Sequence, residues 1–144
     1  MRTTQPRLLV LFMLLLAGLM SGCTIHYVAD YDASVKDETL QIAKKVDLFW
    51  GKLLDTPAAQ RPYSQFQAQY TEIETDIRGL LMKNQVRPLN DISTKQVSNL
   101  LELWLEDRDM HKKDDNFSDF LAQRHRKQFV RVFTAIAKGE DAKQ

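Results

Sequence analysis

The chain has little of what most folds and most active sites draw on. Cysteine occurs once, at Cys23, which excludes an intramolecular disulfide and any multi-cysteine metal site. Five glycines and four prolines in 144 residues argue against a loop-rich, all-β or disordered chain. A Gly-rich phosphate loop, a Gly-x-Ser-x-Gly elbow and a His-Glu-x-x-His pair are all missing. Ser and Asp occur without an ordered triad. We therefore expect no enzyme, no catalytic residue, no metal site and no dissociable cofactor. An excess of one charge is missing too, with 20 basic against 19 acidic side chains. Residues 1–22 hold Arg2 and Arg7 and no acid, so the remainder is near neutral at −1. That balance gives no electrostatic reason to expect nucleic acid as a partner. The one long apolar stretch, Leu8 to Met20, has 13 residues, too few for an ordinary spanning helix of about 20.

What is present starts at that stretch. A basic stretch with Arg2 and Arg7 precedes it, and Ser21, Gly22 and Cys23 follow it. Charge, short apolar core and small residues in this order read as a signal peptide. Leu19-Met20-Ser21-Gly22-Cys23 resembles the lipobox of bacterial lipoproteins. Met20 stands where Leu is commonest, and Ser21, Gly22 and Cys23 match. The resemblance covers the first 23 residues and implies cleavage after Gly22, diacylglycerol on the Cys23 sulfur and an N-acyl chain on the new terminus. It also accounts for an odd cysteine in an oxidising compartment. Two or more acyl chains hold a protein on a membrane durably. Thr24 follows the cysteine where an Asp would mark retention, which by resemblance favours the periplasmic face of the outer membrane.

The remainder divides into a tether to residue 31, a helical domain over 32–139 and a polar tail over 140–144. Eight extended residues reach at most about 28 Å, so the domain hangs close to the bilayer. Val35, Thr39, Ile42, Val46, Phe49 and Leu53 share one helix face, capped at Asp32 or Ser34 and ended by Thr56-Pro57. Tyr63, Phe66, Tyr70, Ile73, Ile77 and Leu80 make a second stripe, fading before Arg87-Pro88. Ser93 and Gln96 read as a capping box opening a third, with Val97, Leu100, Leu101 and Trp104. The third connection is placed at 111–116. A fourth helix follows Asp114 to Ser118, with Phe117, Leu121, Phe129, Val132 and Ile136 on its stripe, Phe120 and Phe133 at its edges, and Lys138-Gly139 at its end. Four helices joined by connections of about seven residues predict an all-α, up-down-up-down four-helix bundle. A flatter helical array is the second choice.

Three histidines invite chemistry. His26 lies in the tether. His111 follows Asp107 by four, a minimal acid–imidazole pairing, but Glu106 to Asp115 reads as a solvated, charge-rich turn. His125 falls between Leu121 and Phe129 on the apolar stripe, where burial demands a hydrogen-bond partner, with Tyr63, Tyr70 or Glu74 as candidates. Leu103 and Leu105 widen the third helix's apolar face, which suggests an exposed flank. Arg124, Lys127 and Arg131 lie at i, i+3 and i+7 on one side of the fourth helix, with Arg126 pointing elsewhere. The reading is a lipid-anchored binding or assembly factor for another envelope component. Its partner surface is placed at Leu103, Leu105, Arg124, Lys127 and Arg131. The alternative is a carrier of an apolar small molecule within the bundle, and a third reading is an envelope-stress or phage-defence module.

Overall fold

The computed structural model describes residues 27–144, so Cys23 and the signal segment lie outside the described residues. Four α-helices follow one another: α1 (Ala33–Asp55), α2 (Tyr63–Gln85), α3 (Asp91–Asp114) and α4 (Asp119–Asp141). A 3₁₀ turn, Ala58–Gln60, lies between the first two. Successive helices run antiparallel, as the cross-helix pairs require. Lys36 meets Asp141 and Asp47 meets Arg126 between α1 and α4. Glu38 meets Lys83 and Lys45 meets Asp76 between α1 and α2. Tyr63 meets Asp115 and Glu74 meets Arg108 at the α2–α3 seam. Asp107 meets His125 between α3 and α4. This is the up-down-up-down bundle.

Capping chemistry sets the ends. Asp32 accepts from the Ser34 and Val35 amides and opens α1, while Ser118 accepts from the Leu121 amide and opens α4. Helix α3 closes on Asp115 in the left-handed region (φ 48°), which Asp tolerates better than most residues.

The core is aromatic. The Phe49 ring lies 4.6–5.9 Å from those of Trp50, Phe66, Tyr70 and Trp104, so residues from three helices share one centre. Trp50 carries the cluster on to Phe117 and Phe129. Edge-to-face geometry dominates, which suits the ring quadrupoles.

Several expected boundaries move. Helix α3 begins at Asp91, ahead of Ser93, so the Ser93–Gln96 capping box is not used. The Asn90 side chain instead donates to the Asn84 carbonyl and Oδ1, both at 2.9 Å, and fastens the turn to α2. The helix also runs on to Asp114, past His111, because His111 is fully buried rather than part of a solvated turn. Phe117 precedes α4 yet is buried, whereas Phe120 is 73% exposed. The 140–144 segment is not a separate tail: α4 continues to Asp141 and Glu140 is buried. The tether ends before residue 31 as well. The Ala29 amide donates to the Leu89 carbonyl at 2.9 Å, and Ala29 is buried.

Two clusters of charge fasten the bundle ends. At the end formed by the α2–α3 turn and both termini of the domain, Glu140 accepts from Arg87 (3.0 Å), Lys143 (2.6 Å) and the Asp32 amide (2.8 Å). Arg87 also donates to the Asp30 carbonyl. Burial works against the Glu140 charge, but these donors outweigh it and hold the carboxyl below its usual range. Leu89 in this turn sits at φ 57°, a left-handed conformation that costs an L-residue about 1 kcal/mol. At the opposite end, Arg61 is buried. It donates to the carbonyls of Thr56 (2.6 Å), Phe117 (2.8 Å) and Leu54 (3.2 Å) and pairs with Asp119.

Candidate functional site

The surface stripe that the core does not use is built by α1 and α4 together. On α1, Leu40, Ala43, Lys44 and Leu48 lie on the face next to the buried Val46. On α4, Arg126, Val130 and Thr134 lie at i, i+4 and i+8, beside buried Phe129 and Phe133. Between them runs an open groove of about 620 Å³. Its apolar rim is exposed: Leu48 at 71%, Val130 at 53% and Leu40 at 41%. A second open groove, of about 590 Å³, shares Arg126 and Val130 with the first and is lined further by Leu54, Gln123, Lys127 and Arg131.

Charge on this face is one-sided. Arg126 reaches across to Asp47 with two bonds, at 2.6 and 2.7 Å, and each partner stabilises the charged form of the other. That pair is internally neutral. Lys44, Lys127 and Arg131 are exposed, and none has an ion-pair partner among the described residues. The first groove is therefore an apolar floor edged by Lys44, and the second, which adjoins it at Arg126 and Val130, adds Lys127 and Arg131.

The sequence-based partner surface is divided by the structure. Lys127 and Arg131 border the second groove, and Arg124 is exposed on the same helix. Leu103 and Leu105 do not form an exposed flank; both are half-buried and pack against the core. The apolar side chains that do stand in solvent beside the cations come from α1. Arg126, expected to point away, is the residue that pairs with an acid on the neighbouring helix.

The histidines are also reassigned. His125 is bonded through Nδ1 to Asp107 at 2.7 Å, not to Tyr63, Tyr70 or Glu74. Burial pushes the Asp107 carboxyl up, and the bond and charge of His125 oppose that shift. Tyr70 is instead the partner of His111, donating its hydroxyl proton to Nδ1 at 3.1 Å. His111 Nε2 lies 2.8 Å from the Arg61 carbonyl, which can only accept. The neutral ring with its proton on Nε2 satisfies both neighbours. Burial accordingly holds the His111 imidazole below its usual value, against the opposing pull of the Arg61 carbonyl. Asp107 and His111, four residues apart on α3, thus both face inward, one towards α4 and one towards α2. These groups join helices; among the described residues no three His, Cys, Asp or Glu side chains gather as metal ligands would.

Compared with known proteins, the chain matches no family model, no curated protein and no solved structure.

Proposed function

We propose that the protein is a lipid-anchored factor of the bacterial envelope whose α1–α4 groove holds an acidic amphipathic helix of another envelope protein. The anchor rests on Leu19 to Cys23, with acyl chains on Cys23 holding the domain at the periplasmic face of the outer membrane. The observation that carries the binding reading is the groove itself. Leu40, Leu48 and Val130 stand exposed over a floor of Phe129 and Phe133, Lys44 borders it unpaired, and Lys127 and Arg131 line the adjoining groove, also unpaired. A helix with apolar residues at i, i+4 and i+7 and acids along one edge satisfies both features. The bundle axis is filled by aromatic rings, and both grooves open to solvent, which supports an external protein partner over a ligand carried inside.

Photo-crosslinking in intact cells tests this, with the probe at 48, 130 or 127 and, as controls, at 103 or 113. We expect one adduct from the groove positions and none from the controls, with the double variant Lys127→Glu, Arg131→Glu abolishing it. Adducts of equal strength from every position, or adducts indifferent to charge reversal, would sink the groove reading. A bound apolar small molecule in the native mass spectrum would favour the carrier. Cys23→Ser is expected to release the protein from the membrane fraction and to block maturation. A Cys23→Ser protein of mature size still in the membrane would overturn the anchor.

A further inference from the structure

Among the described residues, ten large apolar side chains are exposed, and they are not spread evenly. Three border the α1–α4 groove and Phe120 lies at the start of α4. The other six, Tyr27, Val28, Met82, Val86, Leu89 and Ile92, all belong to one end of the bundle. Met82 is in the last turn of α2, Val86 and Leu89 in the α2–α3 turn, and Ile92 in the first turn of α3. Tyr27 and Val28 lead into the domain, and Val28 and Ala29 line a shallow groove with Pro88 and Leu89. Exposure there reaches 81% at Val86, 72% at Ile92 and 57% at Leu89.

Leu89 is the least expected of these. A left-handed position in a solvated turn suits Gly or Asn, which relieve the backbone and welcome water. A leucine there has neither advantage unless something apolar receives it.

The chain itself says what lies opposite. Three residues lie between Cys23 and Tyr27, so the four steps of chain keep a lipid-bearing Cys23 within about 14 Å of Tyr27 in any conformation. Ala29 is then bonded to Leu89, which fixes the entering chain on the α2–α3 turn. We propose that this end of the bundle rests on the bilayer, with Val86, Leu89 and Ile92 entering the headgroup–acyl boundary and Tyr27 at its polar edge. The proposal builds on the Cys23 reading. Tyr at a membrane interface suits its apolar ring and polar hydroxyl. The charges around this end are of both signs, with Lys83, Arg87 and Lys95 beside Asp30 and Asp91. Contact is therefore apolar insertion rather than attraction to anionic lipid. Helices of 23 or 24 residues, at about 1.5 Å per residue, hold the Arg61 end roughly 35 Å above the surface, with the α1–α4 groove along the side.

Depth-dependent quenching tests this on the full-length lipoprotein. Cys23 is the only native cysteine, so after lipidation an introduced thiol is unique. Val86→Cys, Ile92→Cys, Leu48→Cys and Phe120→Cys are each labelled with an environment-sensitive fluorophore. The proteins are placed in phosphatidylcholine vesicles, with or without phosphatidylglycerol, containing nitroxide-labelled acyl chains. We expect quenching at 86 and 92 several-fold above that at 48 and 120, unchanged by phosphatidylglycerol or by salt. Leu89→Asn, which suits the left-handed backbone, should lower quenching at 86 without lowering stability. Equal quenching at all four sites, quenching only with anionic lipid, or crosslinks between copies through position 86 would overturn the contact. The mass of the Cys23 peptide is read in parallel. A diacylglyceryl Cys23 with no quenching at 86 or 92 defeats the end-on contact and leaves the anchor. Quenching at 86 and 92 with an unmodified Cys23 defeats the anchor and leaves the contact.

Discussion

Arg61 closes one end of the bundle and Glu140 the other, and the two differ in kind. Arg61 is a buried cation whose partners are mostly backbone carbonyls, at Leu54, Thr56 and Phe117. It satisfies acceptors that the last turn of α1 and the α3–α4 connection would otherwise leave bare. Glu140 is a buried anion held by two cations and one amide. Around Arg61 the surface is finished with polar groups, and Phe120 is the one large apolar side chain exposed there among the described residues. Around Glu140 six such side chains remain exposed. Both ends are tightly fastened inside, so the apolar surface at the Glu140 end is not a sign of a loose structure. Firm interior and apolar exterior together mark a surface built to meet something.

The comparison can be broken in order of size. Arg61→Ala should cost most, about 3 kcal/mol, since three carbonyls lose their donor at roughly 1 kcal/mol each. Urea denaturation of the full chain measures it, and a loss below that of Glu140→Gln would reverse the ranking. Glu140→Gln keeps the shape but leaves Arg87 and Lys143 without their anion. We expect about 2 kcal/mol, below the range for a fully enclosed pair because Arg87 retains some solvent.

The smallest effect is a difference in pH response. His111, beside Arg61, binds a proton more weakly folded than unfolded. Its contribution is complete above the ordinary imidazole value near 6.5 and is lost as pH falls through that value towards the lower folded one. Glu140 holds its charge more strongly folded than unfolded. Its contribution is present above the ordinary carboxyl value and is lost only in stronger acid, as pH falls through the depressed folded value. Asp107 runs the other way, because burial raises its carboxyl and acid relieves it. The Arg61 end should therefore weaken first. Between pH 7.5 and 5.5 the urea midpoint should fall in the wild type and stay flatter in His111→Gln. Parallel slopes for the two proteins would remove His111 from this account.

Much of the architecture was legible from apolar spacing. The α1 stripe from Val35 to Leu53 is buried as read, and Asp32 and Thr56-Pro57 mark its ends because local chemistry alone decides them. The start of α3 departs from the local signal for the opposite reason. Ser93 and Gln96 satisfy a local rule, but Asn90 is engaged by Asn84, and the helix begins at Asp91. His111 and Asp107 looked solvated because their partners lie far along the chain, at Arg61, Tyr70 and His125. No spacing rule reports such pairings. The groove was half legible. Lys127 and Arg131 stand out as charges, but Leu40 and Leu48 fall outside the core stripe of α1, and core spacing does not mark them. Two leucines eight residues apart beside Lys44 were the available signal.

The bond from Asp32 to Glu140 spans 108 positions, nearly the whole domain. It joins the N-cap of the first helix to the last turn of the last. A chain that stops before Glu140 cannot complete that end of the bundle, because Arg87, Lys143 and the Asp32 amide all meet on its carboxylate. The amide of Asp32 and the guanidinium of Arg87 share a carboxylate that lies 108 and 53 positions further along the chain. Closing this end costs the loop entropy of almost the entire domain, so it follows rather than leads the pairing of neighbouring helices.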